Sequence, residues 1–242
     1  MGAAGLDYSA AGVPVRQDLR DAHQALLDHL RRPGAWLDGA ERLAVASEAR
    51  LAPGCALCRD RKAALSPGSL EGRHECTGAL RDALVDVVHR VRTDPGRLSR
   101  DWFDRTGVGD GDYVEAVGIA AFSAGLDAFC RALGIPPFPL PEPLPGRPSR
   151  RRPEGLTPGI AWVPLLLPQD ASGPDADVYG GAPFVPNIVR ALSLVPDHVR
   201  ALRRWSAAHY VEVGDLTARR ALDRPQIELV AARVSALNEC FY

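Results

Sequence analysis

Stretches with helical apolar spacing alternate along the chain with stretches broken by proline and glycine. From Asp18 to Arg32, Leu19, Leu26, Leu27 and Leu30 fall on one face of an amphipathic helix, which Pro33-Gly34 ends. Asp38-Gly-Ala-Glu41 has the form of a helix start, because an acidic N-cap and a glutamate three residues on can satisfy backbone N–H groups reciprocally. That helix should run to about Leu51 and break at Pro53-Gly54, with another beginning near Cys55. Thr77 to Arg92 predicts a helix burying Leu80, Leu84, Val87, Val88 and Val91. Asp110 to Leu133 predicts a longer, less polar one, stopped by Gly134 and Pro136. Helical spacing returns over Val185–Leu194 and Pro196–His209, and again from Asp223 onward.

No segment carries a convincing strand pattern, so the expected fold is all-α. Prolines from Pro136 to Pro158 cannot donate ladder hydrogen bonds and favour extended backbone. This reads as a linker over residues 136–180 between a helical unit at 15–135 and a second, incomplete one at 181–242.

Hydrophobic residues make up 46% of 242, enough for a core, and a formal net charge of −1 gives no basic surplus for nucleic acid. The longest apolar runs, such as Trp162 to Leu167, are too short to span a bilayer. Met1 to Gly12 has neither a basic residue nor a long apolar run, so no signal peptide is expected. A cytoplasmic, non-membrane protein follows, with its cysteines reduced unless function oxidises them.

Two of those cysteines, Cys55 and Cys58, form a C-x-x-C pair at a helix start. There the first thiol lies near backbone N–H groups and the positive end of the helix dipole, which favours the thiolate. Arg59 and Arg61 add positive charge nearby in sequence. Redox use and metal binding are the two usual roles of such a pair, and inert packing is the structural alternative. For a metal, Cys55, Cys58, His74 and Cys76 offer three thiolates and an imidazole, a donor set suited to tetrahedral zinc.

The chain also holds an ungapped internal match. Asp38–Cys55 aligns with Asp223–Cys240: both open D-x-x-(E/Q), through Glu41 and Gln226, and both carry Val-Ala, at Val45-Ala46 and Val230-Ala231. Ile227-Glu-Leu-Val-Ala-Ala-Arg-Val-Ser-Ala-Leu-Asn-Glu-Cys240 resembles the cysteine-bearing helix of the alkylhydroperoxidase-D/carboxymuconolactone-decarboxylase superfamily, and Arg42 to Cys58 resembles a diverged copy. Val185 to Ser193 and Asp112 to Ala120 resemble flanking helices of the same family.

The resemblance implies a thiol-dependent oxidoreductase, peroxidase-like, reducing peroxides or exchanging disulfides. It implies no cofactor and no metal, a thiol reductant protein as partner, and homo-oligomers. Cys58 would attack the peroxide and Cys55 would resolve the product, with Cys240 and Glu228 the surviving site residues of the second unit. The family's relay glutamate, twelve residues before the first cysteine, falls on Leu43 in the first unit and Glu228 in the second. Its histidine falls on Lys62 in the first unit. Some relatives carry selenocysteine where the residue after Tyr242 would stand, so the reading frame either continues through such a codon or ends there.

Two readings stay open beside it, a non-catalytic oligomerisation scaffold and a structural zinc protein. Elsewhere, His23, His29, His89 and His198 read as surface or partner-facing residues on helices. Cys130 reads as core, Trp36, Trp102, Trp162 and Trp205 as packing anchors, and Arg150 to Arg152 as a solvated face. The glycines of Gly107-Val-Gly109-Asp-Gly111 follow no strand, which argues against a dinucleotide site.

Overall fold

The computed structural model describes residues 6–182, 184–211, 215–217 and 220–237. Its architecture is mostly helical, as the periodicity implies. The first four helices are α1 (Gln17–Arg31), α2 (Gly39–Leu51), α3 (Ala56–Ala63) and α4 (Asp82–Thr93). They are followed by α5 (Arg100–Thr106), α6 (Asp110–Ala132), α7 (Asn187–Arg190), α8 (Pro196–His209) and α9 (Arg224–Leu237).

Helix α6 is the hub. Its small residues let α2 and α4 pack along it and α8 cross it. At Gly118 an added Cβ would collide with the His198 ring, so the crossing requires glycine there. Helix α6 is long and apolar enough to cross a membrane, yet it is largely buried among its neighbours, which is how the central helix of a helical core behaves. Helix α1 buries Ala22, His23, Leu26, Leu27 and Leu30, and α8 packs along it.

Local signals placed several boundaries. Asp38 and Glu41 form the reciprocal cap: Glu41 N donates to Asp38 Oδ1 and Asp38 N to Glu41 Oε2, both at 2.9 Å. Asp223 and Gln226 repeat the pattern at 3.0 Å. The two caps match, but α2 sinks into the core while α9 has no buried residue.

Helix α4 begins at Asp82 rather than Thr77. Thr77 is pulled away by Glu48, and Gly78 sits at φ +77°, outside helical space. Helix α5 went unanticipated, although the Ser99 hydroxyl caps it by accepting from Trp102 N at 3.2 Å. The helix expected over Val185–Leu194 is reduced to α7 and a run of turns.

The proline-rich stretch is extended, as its composition implies, but it is packed rather than free. Leu144 N donates to Arg31 O at 2.8 Å, and Arg150 N to Ala35 O at 2.8 Å, strapping it across the α1–α2 turn. Two short strands, β1 (Leu156–Thr157) and β2 (Leu165–Leu166), pair antiparallel with Leu156 opposite Leu166. Phe138, Val163, Leu165, Leu166, Val178 and Tyr179 enter the same apolar cluster as the helices. Arg151 and Arg152 of the exposed basic run pair with Asp175 and Asp110.

One buried ion pair organises the α1–α2 corner. Arg42 on α2 donates to Glu115 on α6, and both side chains are sealed, at 1% and 0% exposure. Arg42 Nη2 also donates to His29 O at 2.9 Å, and Nε to Leu30 O at 3.3 Å, capping the end of α1. Glu115 Oε2 accepts from Trp36 N at 2.6 Å and Leu37 N at 3.3 Å. A Cβ on Gly34 would strike both partners, so the turn passes them only as glycine.

Candidate metal and thiol centre

Cys55 caps α3, and Cys58 lies in its first turn, one helical turn away. The loop between α3 and α4 brings in His74, and α4 supplies His89. One donor atom from each of Cys55, Cys58, His74 and His89 lies within 4.8 Å of every other. His74 Nδ1 stands 3.6 Å from Cys55 Sγ and 3.5 Å from Cys58 Sγ, and His89 Nδ1 stands 3.3 Å from Cys58 Sγ.

Each imidazole is held from behind by a carboxylate. His74 Nε2 lies 3.0 Å from Asp86 Oδ1, and His89 Nε2 lies 3.1 Å from Glu48 Oε2. Asp86 and His89 are three residues apart on α4, so both face the site. Asp86 also accepts from Arg61 Nη1 at 2.7 Å and Trp102 Nε1 at 3.2 Å. Glu48 accepts from Thr77 N at 2.7 Å and Thr77 Oγ1 at 2.5 Å, tying the loop to α2.

These contacts move the titrations. Burial raises the Cys55 thiol, but hydrogen bonds from the Cys58 backbone N–H and from His74 outweigh it and the net shift is downward. Burial lowers His74, yet Asp86 and the two sulfurs prevail and push it up to about 10. Asp86 ends well below the usual carboxylate range: burial opposes its charge, but His74 and Arg61 overcome that. Burial dominates at His89 and lowers it despite Glu48.

The residues read from the sequence divide. Cys55, Cys58 and His74 converge, whereas Cys76 is exposed and outside the group, so His89 replaces it as the fourth donor. His89 is fully buried rather than on the surface, and so are His23 and His198. His23 is bonded to Tyr8 Oη and His209 Nε2, and His198 to His29 and the Glu115 carbonyl, which explains why an internal position suits each. Cys130 is core.

Glu228 sits on α9, bonded to Tyr210 Oη at 2.7 Å and to Arg224, and is not among the groups at the thiols. Cys240 lies outside the described residues. The carboxylates at the thiol centre are instead Asp86 and Glu48, the latter seven residues before Cys55, and the twelve-residue spacing to Leu43 reaches neither. Helix α2 ends at Leu51 and Cys55 starts α3, so no helical spacing links the two and the sequence carried no signal for Glu48. Comparison with family models, with characterised proteins and with solved structures returned no match.

Proposed function

We propose that Cys55, Cys58, His74 and His89 form a closed tetrahedral metal centre, most suited to zinc, that staples the α3–α4 loop to the helical core. The observation that carries this reading is the sulfur–nitrogen spacing. Zn–S near 2.3 Å and Zn–N near 2.0 Å at tetrahedral angles put a sulfur and a nitrogen about 3.5 Å apart. The three distances here run from 3.3 to 3.6 Å.

The carboxylates support the same conclusion. Asp86 and Glu48 each engage the far ring nitrogen, the arrangement that orients a metal-bound histidine and raises its basicity. Burial supports a closed, structural site: Cys55 is 1% exposed and Cys58 2%.

The test is elemental analysis of the purified chain, with cobalt substitution read by its visible absorption. One metal per chain is expected, lost in Cys58→Ser and in His89→Ala and retained in Cys76→Ala. Protein that is isolated without metal and takes up neither zinc nor cobalt overturns the reading.

A second reading keeps the thiol chemistry that the family resemblance implies, and Cys58–His89–Glu48 favours it as a thiol–imidazole–carboxylate relay. The Cys58 thiolate would attack a peroxide oxygen, breaking the O–O bond, to give a sulfenic acid and, with a proton, water. The Cys55 thiol would then displace that oxygen as a second water, forming the disulfide that a dithiol reductant restores. The sealed sulfurs weigh against it as the resting activity. Mass spectrometry after mild peroxide decides: loss of two hydrogens mapped to Cys55 and Cys58 supports the relay, and unchanged thiols reject it. Assembly into homo-oligomers belongs with the same resemblance. Leu229, Val230, Val234 and Leu237, exposed on α9, support it, and light scattering tests it.

A further inference from the structure

A cleft of about 430 Å³ opens between the C-terminal end of α1 and α8, away from the thiol centre. We infer that it binds a small molecule through an oxyanion group, a phosphate or a carboxylate.

Arg32, Arg42, Arg200 and Arg204 line the cleft against Asp28 and Asp197, a cationic surplus in a chain whose formal net charge is −1. Partners account for two of the four arginines. Arg42 is neutralised by Glu115, and Arg200 by Asp177 and Asp197, at 2.5 and 2.9 Å. Arg32 and Arg204 make no side-chain hydrogen bond or ion pair among the described residues. They approach from different helices, one just past the end of α1 and one in α8. Two unspent guanidinium groups lining one cleft from two helices suit an oxyanion, since each offers a planar fork of donors.

The floor is rigid. Arg42 is fixed by Glu115 and two α1 carbonyls, and His29 Nε2 lies 3.0 Å from Arg42 Nη2 and 2.9 Å from His198 Nδ1. Burial first, then the neighbouring His198 and the charges of Arg42, Arg32 and Arg204, hold the His29 imidazole well below its usual range. The volume exceeds what a bare oxyanion fills and lies within the usual range for small-molecule sites, about 300–1,000 Å³. The ligand therefore carries a body beyond its anionic head.

Arg32 and Arg204 are exposed and tie nothing together, so replacing them leaves the fold intact. Isothermal titration of the full chain with inorganic phosphate and, separately, citrate at low ionic strength tests the proposal. Saturable 1:1 binding of at least one probe is expected, weakened tenfold or more in Arg32→Ala/Arg204→Ala and unchanged in Arg105→Ala, an exposed arginine on α5. Preference for phosphate or for citrate assigns the head group. Binding of neither probe, or equal binding by the double variant and the wild type, overturns it. Metal content is unaffected either way, so this outcome is separate from that of the thiol centre.

Discussion

Replacing Glu115 with leucine should be among the most damaging single changes available in the α1–α2 corner. The substitution strands the Arg42 guanidinium, 1% exposed, without its counter-charge, and leaves Trp36 N–H and Leu37 N–H without their acceptor. Removing one partner of a buried pair costs about 3–5 kcal/mol. For a chain of 242 residues, about 2.1 cal/mol/K per residue of unfolding entropy converts that to a fall in Tm of about 6–10 °C. Arg42→Met should cost a similar amount, because it strands the carboxylate and uncaps His29 O and Leu30 O. The double variant removes both charges together but still leaves the carbonyls and amides unpaired. Its destabilisation should therefore fall short of the summed singles by at least about 2 kcal/mol while remaining measurable. Urea unfolding of the four proteins, read by far-ultraviolet circular dichroism, gives the cycle. Additivity within about 0.5 kcal/mol would show that Arg42 and Glu115 act independently, and the account of this corner would then be wrong.

Three other outcomes follow from the same structure. His23 and His198 are buried, which pushes them down to about 4 and about 3, so the unfolded chain, with histidines near 6.5, binds more protons than the folded one. Their contribution to stability should be full above about pH 6.5 and be lost as pH falls toward 4; a urea midpoint that stays constant across this window contradicts the assignment. Glu48→Gln should keep an acceptor for Thr77 but weaken metal affinity about 10–100-fold, measured by competition with a chromogenic chelator, and an unchanged affinity removes Glu48 from the centre. Chelation should expose residues 64–81 to protease while the helices around α6 stay protected, and cleavage independent of metal argues against the staple.

What the sequence disclosed was local. The Asp38–Glu41 cap, the proline and glycine stops and the apolar stripe of α1 each depend on neighbours within one or two turns, so reading along the chain finds them. The start of α4 does not, because Thr77 is diverted by Glu48, a residue from α2. The same reach explains the site. Cys55 and Cys58 were visible as a motif, and His74 came from loop spacing, but His89 sits amid Leu84, Val85, Val87 and Val88 and looks like any polar residue on an amphipathic helix. Only the packing of α4 beside α2 and α3 turns it toward sulfur. Likewise, the prolines signalled extended backbone after Gly134 correctly, but not that Phe138, Leu165 and Leu166 would anchor it in the core.

The thiol centre answers a problem the core does not. Of residues 64–81, His74 alone has a nearly sealed side chain and Leu80 a half-buried apolar one, so little apolar burial offsets their ordering. Ordering its backbone costs conformational entropy that hydrogen bonds such as Glu48–Thr77 and Arg61–Leu70 offset only in part. A bound tetrahedral metal would tie such a segment to the helices, because the free energy of binding adds to that of folding. It would do so through His74, the loop's only residue in the donor group, and through three donors already seated on α3 and α4. A redox dithiol needs neither a second imidazole nor a second carboxylate behind it. A loop without a core needs a strong point of attachment, and the four converging donors supply one.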